Sequence, residues 1–369
     1  MAITLDGTLG ITTPTYGGST SAEYSVPVTG FKNRIINGAM VIDQRNAGAS
    51  VTQAATNLYG MDRWTFYGSQ ASKFTVQQLS SSPPVGFSNY AGITSSSTYS
   101  VGASELFIFR QKIEGYNVTD LAWGTANAST VTLSFWVYSS LTGTFGGSIL
   151  NTSENYSYPF NYSIPVANTW TKISITITGP TAGTWTGGNG IGLEVLYGLG
   201  VGATGSGTAG SWASATYYSA TGAVSVVGTS GATFYITGVQ LEKGSTATSF
   251  DYRPYGTELS LCQRYFASYN SSAINTATAP GYIGNTTSGI VLYKLPVTPR
   301  IAPTGITING AFNFSGTSTT AVSALTFSTA SPSGDIGMLF TSSGLTAGQA
   351  GILQTNATSN YIQFTGFEL

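Results

Sequence analysis

Histidine is absent from the 369 residues, and cysteine occurs once, at Cys262. Without histidine there is no Ser-His-Asp or Cys-His machinery and no imidazole-bound metal. A lone cysteine makes no intrachain disulfide and no thiolate zinc or iron–sulfur site. Charge is scarce too: 13 Lys+Arg and 14 Asp+Glu amount to 7% of the chain, where an ordinary soluble domain carries about 25%. With a net charge of −1 and scattered basic residues, the chain lacks the electrostatic footprint of nucleic-acid binding. No apolar run reaches the ~18–20 residues of a membrane helix, so no membrane insertion is expected. The N-terminus lacks the basic-then-apolar pattern of a secretory signal.

Core-forming residues are present in ordinary number, at 41% hydrophobic. The surface is what departs from the norm, with Ser, Thr, Gly and Asn standing where Lys and Glu usually stand. A chain so poorly charged, with a pI near 5.4, repels its neighbours weakly. Composition is consistent with a Ser/Thr-rich secreted protein or with a subunit of an extracellular fibre or virion.

Residues 1–30 read as an extension, rich in Gly, Thr and Ser, with Pro14 and Pro27. The segment is too poor in apolar mass to fold alone. It is expected to pair as a strand with a neighbouring subunit, the alternative being a disordered tail. From Phe31 onward the pattern has period two. In VTLSFWVYS, Val131, Leu133, Phe135 and Val137 share one face, and Thr132, Ser134, Trp136 and Tyr138 the other. KISITITG and TFYITGVQLEKG alternate in the same way, and clusters such as SSSPPVG and TGGNGIG punctuate the runs. Many short strands separated by such turns predict an all-β fold, a sandwich or jelly roll. TELSLCQRYF is the one good helical candidate: Leu259, Cys262 and Phe266 share a helical face, Thr257 is placed to cap it, and Cys262 is expected to be buried and inert. After Phe266 a second strand series begins. The expected organisation is an N-terminal anchoring extension (1–30), a jelly-roll β-sandwich (31–258), a linker with a short helix (259–266) and a smaller C-terminal β-sandwich (267–369).

Several segments carry a resemblance. FKNRIINGAMVIDQRNAGASV followed by DRWTF, and TFYITGVQLEKGSTATSFDYRPYGTELSLCQRYF, resemble a module of bacteriophage tail-fibre and virion structural proteins. The N-terminal ITLDGTLGITTPT is similar to the leader of many phage fibre and baseplate proteins. The resemblance implies a carbohydrate-binding-like jelly roll in a virion component, a homotrimeric tail fibre attached to tail or baseplate proteins through residues 1–30. It leaves the ligand open.

Glycan binding needs aromatic faces to stack on sugar rings, with amides and hydroxyls to engage the sugar hydroxyls. The chain holds 6 Trp and 22 Tyr. Trp185 and Trp212 lie in Gly- and Ser-containing loop sequence, and NTSENYSYPFNYS interleaves Tyr and Asn. Trp185, Trp212, Tyr156, Tyr158, Asn155 and Asn161 are therefore the expected glycan contacts. Trp64, Trp136 and Trp170 lie in or beside strand runs and are expected in the core. No carboxylate pair stands out by spacing, so an enzyme is not expected and a polysaccharide depolymerase is the weaker alternative. Asp62 beside Arg63 and Glu242 beside Lys243 read as ion-pair partners. In FDYRPYG, Asp251 and Arg253 read as a structural lock, joined by Arg264. Jelly rolls can hold a structural Ca²⁺, to which no residues here are assigned, and no cofactor is expected. The reading is of a phage tail-fibre subunit that adsorbs to host-surface glycans. The alternative is a structural virion protein, a baseplate spacer or head decoration, that binds none.

Overall fold

The computed structural model describes residues 31–369 and two short strands before them, β1 (Thr4–Asp6) and β2 (Gly10–Thr12), which pair as an antiparallel hairpin. The anchoring role expected of residues 1–30 otherwise falls outside the described residues. From residue 31 the regular secondary structure is almost all strand, as the period-two pattern predicts. The strands are β3 (Val51–Thr52), β4 (Leu58–Met61), β5 (Trp64–Gly68), β6 (Phe74–Leu79), β7 (Tyr90–Ser95) and β8 (Leu106–Glu114). They continue with β9 (Val131–Ser139), β10 (Gly143–Asn151), β11 (Ser157–Ile164), β12 (Thr171–Ile177) and β13 (Ile191–Val201). After the short parallel pair β14 (Ser206–Gly207) and β15 (Ser219–Ala220), β16 (Thr233–Lys243) completes the sandwich.

Two six-stranded antiparallel sheets result, in the orders β11-β10-β13-β8-β5-β4 and β12-β9-β16-β7-β6-β3. From β7 onward the chain crosses between them at nearly every step, the jelly-roll habit. Val131, Leu133, Phe135 and Val137 point inward and are fully buried. Phe135 meets Tyr162 and Tyr197 of the opposite sheet edge-to-face, with ring centroids 5.1 Å apart in both cases. Such aromatic pairs add to the burial term that holds the layers together.

One helix, α1 (Tyr255–Gln263), follows. It begins two residues before Thr257, so the expected cap is instead a first-turn residue whose N–H donates to the Pro254 carbonyl. Cys262 is fully buried on the helix, and burial pushes its thiol pKa well up, as an inert core cysteine requires.

Beyond α1 lie two further sheets. The smaller is β17-β26-β20, from Ala267–Ser271, Asn360–Thr365 and Gly305–Asn309. The larger has seven strands, β22-β21-β25-β18-β19-β24-β23. Its strands are β18 (Ala277–Ile283), β19 (Ser288–Lys294), β21 (Phe312–Ser315), β22 (Thr319–Ala321), β23 (Ala324–Ala330), β24 (Asp335–Thr341) and β25 (Ala350–Thr355). They enclose a second core that includes Tyr293, Phe314, Phe340 and Phe364.

The ion pairs read from adjacency are not the ones formed. Arg63 lies over the Tyr265 ring, 3.6 Å from its centroid, while Asp62 accepts from the Gln44 backbone and side chain. Lys243 pairs with Asp120, while Glu242 accepts from Gln240 and Thr248. Glu242 and Lys243 are adjacent on β16 and face opposite sides, while Asp62 and Arg63 form the turn between β4 and β5. The FDYRPYG lock does form: Asp251 accepts the N–H groups of Lys32 and Asn33, and Arg253 pairs with Glu258 at 3.3 Å. Arg264 does not join it; it forks onto Glu114 on β8.

Burial pushes the Asp62 carboxyl up to about 6 against the lowering effect of its Gln44 bonds. A folded pKa above the unfolded value stabilises the protonated native state, so this contribution is lost as pH rises from about 4 to about 6. Asp62→Asn should gain on the parent by about 3 kcal/mol between pH 4 and pH 7. Urea melts at both pH values measure it; a constant difference between the two proteins would show that Asp62 is not the responsible group.

Candidate functional site

Four loops leave the same end of the sandwich. The β8–β9 loop carries Trp123, the β10–β11 turn leads into Tyr156, the β12–β13 loop carries Trp185, and the segment between β14 and β15 carries Trp212. Their rings converge. Trp123, Trp185 and Trp212 make three mutual edge-to-face contacts with centroids 4.8, 5.4 and 5.5 Å apart. Tyr156 stacks on Trp212 at 5.7 Å, and Tyr158 approaches it at 5.2 Å.

Each indole N–H is bound to a loop carbonyl: Trp123 to Ser129 at 2.8 Å, Trp185 to Ala182 at 3.1 Å and Trp212 to Thr178 at 2.7 Å. The rings are thereby fixed before any ligand arrives, which reduces the ordering cost of binding. Buried Asn151 ties the loops together. Its Oδ1 accepts from the N–H groups of Asn155 and Tyr156, and its Nδ2 donates to Asn155 Oδ1 and the Thr184 carbonyl. Gly124 and Gly183 both have positive φ, and a Cβ on either would lie 2.9 Å from Trp185 or Tyr156 respectively. Side chains there would push the rings apart.

Between Trp123 and Trp185 opens a pocket of about 220 Å³, lined also by Thr119, Thr125, Thr186, Gly187 and Leu193. Its walls are indole and aliphatic, its rim carries hydroxyls, and no charged side chain lines it.

Four of the six residues expected from sequence thus meet: Trp185, Trp212, Tyr156 and Tyr158. Asn155 is exposed at the same turn, its side-chain oxygen engaged by Asn151. Asn161 stands apart. Three residues on from Tyr158, it falls on the opposite face of β11, exposed on the outer side of its sheet. Trp123 was not legible as a member, because it sits beside a short 3₁₀ turn in AWGTANAST with no strand period to place it.

A second aromatic set corrects another expectation. Trp64 is core, fully buried, but Trp136 and Trp170 are half-buried on the outer side of the second sheet. There Tyr138 and Tyr235 stack at 5.1 Å, with Trp170 against Tyr138 and Tyr90. These rings hold down the loop before β7: Trp170 Nε1 donates to the Ser82 carbonyl and the Tyr90 hydroxyl to that of Ser81. A cavity of about 400 Å³ borders this face at Phe87, Phe250 and Tyr252. Asp251, Arg253 and Glu258, its charged lining, are committed to the FDYRPYG lock.

Two carboxylates do approach each other. Glu194 and Glu154 bond the same Arg110 nitrogen, at 2.8 and 3.3 Å. Burial raises the Glu194 pKa, the environment a general acid needs. Yet Glu194 is 1% exposed, and Glu154 is further bonded by the Tyr218 hydroxyl. Both are engaged as a structural ion cluster. Among the described residues there is no group of three or more acidic or cysteine side chains placed to hold a metal ion, and no helix is long and apolar enough to cross a membrane.

No family model and no curated protein matches the chain. Solved structures with distant likeness include the enzymatically active domain of bacteriophage CBA120 tailspike protein 4, at 16% identity and a TM-score of 0.31, covering 57% of this chain and 21% of that one. The matched part is therefore about a fifth of the tailspike chain. A family 11 carbohydrate-binding module from Clostridium thermocellum, in complex with a mixed-linked tetrasaccharide, matches at 11% identity and a TM-score of 0.29, over 54% of this chain and 98% of the module. Another is the CBM22-1-GH10 xylanase 10B of the same organism with xylohexaose, at 14% identity and a TM-score of 0.27, over 56% and 30% of the two chains.

Proposed function

We propose that the chain is a non-catalytic glycan-binding subunit, and that the pocket between Trp123 and Trp185 takes a neutral sugar. One observation carries this reading: a pre-fixed indole wall faces a rim of threonine hydroxyls with no charged group among them. Aromatic faces suit the C–H side of a sugar ring and hydroxyls its polar edge. An anionic ligand would find no partner there. The engagement of Glu154 and Glu194 by Arg110 supports binding without hydrolysis.

The context proposed is a phage tail fibre that adsorbs to host-surface glycans, supported by the resemblance of Phe31–Val51 with Asp62–Phe66, and of Thr233–Phe266, to virion modules. A single small site binds weakly, and several linked copies raise the avidity through effective concentration.

Trp185→Ala should weaken binding of a neutral host polysaccharide at least tenfold, about 1.4 kcal/mol, with an unchanged circular dichroism spectrum. Titration calorimetry reads the first quantity. Parent binding should change little between 50 and 500 mM salt, because no charge pair contributes. Unaltered affinity in the variant, or steep loss of parent affinity with salt, would remove the pocket from consideration. Release of reducing ends from the polysaccharide would favour a depolymerase, and imaging of whole particles would show where the chain sits.

A further inference from the structure

The seven-stranded sheet buries one face on the second core. Its other face carries large apolar side chains that nothing among the described residues covers. Leu292 is 56% exposed, Tyr282 48%, Ile352 42% and Leu339 40%. Isolated exposed hydrophobes are ordinary; a contiguous patch is not. Register shows that these are contiguous. Leu339 pairs with Ile290, and Ile290 with Tyr282, so an apolar row crosses β24, β19 and β18. Two residues along the strands, Leu292 lies on β19, and Pro280 pairs with Ile352 across β18 and β25. Polar residues flank the patch at both ends of the β19–β24 ladder: Ser288 opposite Thr341 at one end, and at the other Lys294 and Asp335, which form an ion pair at 2.8 Å.

From this juxtaposition we infer that the outer face of the seven-stranded sheet packs against another copy of this chain. The dimensions suit it. Seven strands at ~4.8 Å spacing and about six residues of ~3.3 Å rise give a face of ~600 Å², hence ~1,200 Å² buried when two copies meet. That reaches the lower bound of specific interfaces, about 1,200 Å². Sheets pack face to face about 10 Å apart by interdigitating such side chains. The sole charges noted on this face neutralise each other within one copy, so a second copy meets no net repulsion there. A partner of opposite charge would find nothing to complement. The inference stands whether or not the indole pocket binds a sugar.

Sedimentation velocity of the full chain from 1 to 100 μM tests it. The parent should run with the mass of two chains. Leu292→Glu with Ile352→Glu should weaken self-association at least tenfold. The neutral pair Leu292→Thr with Ile352→Thr, which preserves strand propensity, should act in the same direction with native circular dichroism. Tyr116→Glu, at an exposed site in the first domain, should leave association unchanged. A monomeric parent at 100 μM overturns the inference. So does an oligomer indifferent to both sheet-face pairs, or one dissociated equally by Tyr116→Glu.

Discussion

Replacing Arg264 by Met should lower stability by about 3 kcal/mol. Arg264 follows α1 and forks onto Glu114 at the end of β8, with Nε–Oε2 at 3.0 Å and Nη2–Oε1 at 2.6 Å. Glu114 is 1% exposed, and the Tyr265 hydroxyl also donates to it. Breaking a buried pair from one side leaves a carboxylate without its counter-charge, which costs about 3–5 kcal/mol. The lower figure applies because the Arg264 side chain is 32% exposed and water can partly replace it. The shift in melting temperature should be roughly 6–12 °C for a domain of this size. The double variant Arg264→Met with Glu114→Gln should recover most of the loss, since it removes the stranded charge and keeps an acceptor for Tyr265. Calorimetry on the four proteins of the cycle checks this. If the double variant is as damaged as the single one, the loss comes from packing at the helix end and not from the charge.

A larger loss, about 4–5 kcal/mol, is expected from Trp64→Ala. The indole is fully buried and stacks on Phe109, 4.9 Å away with planes 5° apart. Its Nε1 donates to the Asn37 carbonyl at 3.0 Å. Truncating a buried aromatic costs about 3–5 kcal/mol, and the abandoned carbonyl adds about 1 kcal/mol. Asn37 also has its side-chain amide on the carbonyls of Ile42 and Asp62 and its N–H on Glu258. Loosening it should loosen the segment before β3. Trp64→Phe keeps the stack and loses only the donor, so it should cost less than half as much. Denaturant midpoints decide; a loss under 1 kcal/mol for the alanine variant would mean that the core refills the space.

Both predictions rest on contacts that no local pattern announces. Arg264 and Glu114 are 150 positions apart, and Trp64 meets Asn37 only because β5 folds back beside the segment after Phe31. The same holds for the candidate site. Trp185 and Trp212 were readable as loop tryptophans from their Gly- and Ser-containing surroundings. That Trp123 would stand between them, and that Asn161 would turn away, depended on which loops share an end of the sandwich and on the phase of β11.

By itself the sequence determined the all-β class, the inward faces of strands such as Val131–Val137, the existence and place of one helix, the inert thiol of Cys262 and a surface almost without charge. These follow from period, composition and the chemistry of single residues, all of which are local. Only the tertiary structure decided which charges pair, which tryptophans face solvent and which exposed side chains join into a patch. Those outcomes depend on register between strands distant in sequence. Register is set by how the whole sheet buries its apolar side, not by any one stretch of it.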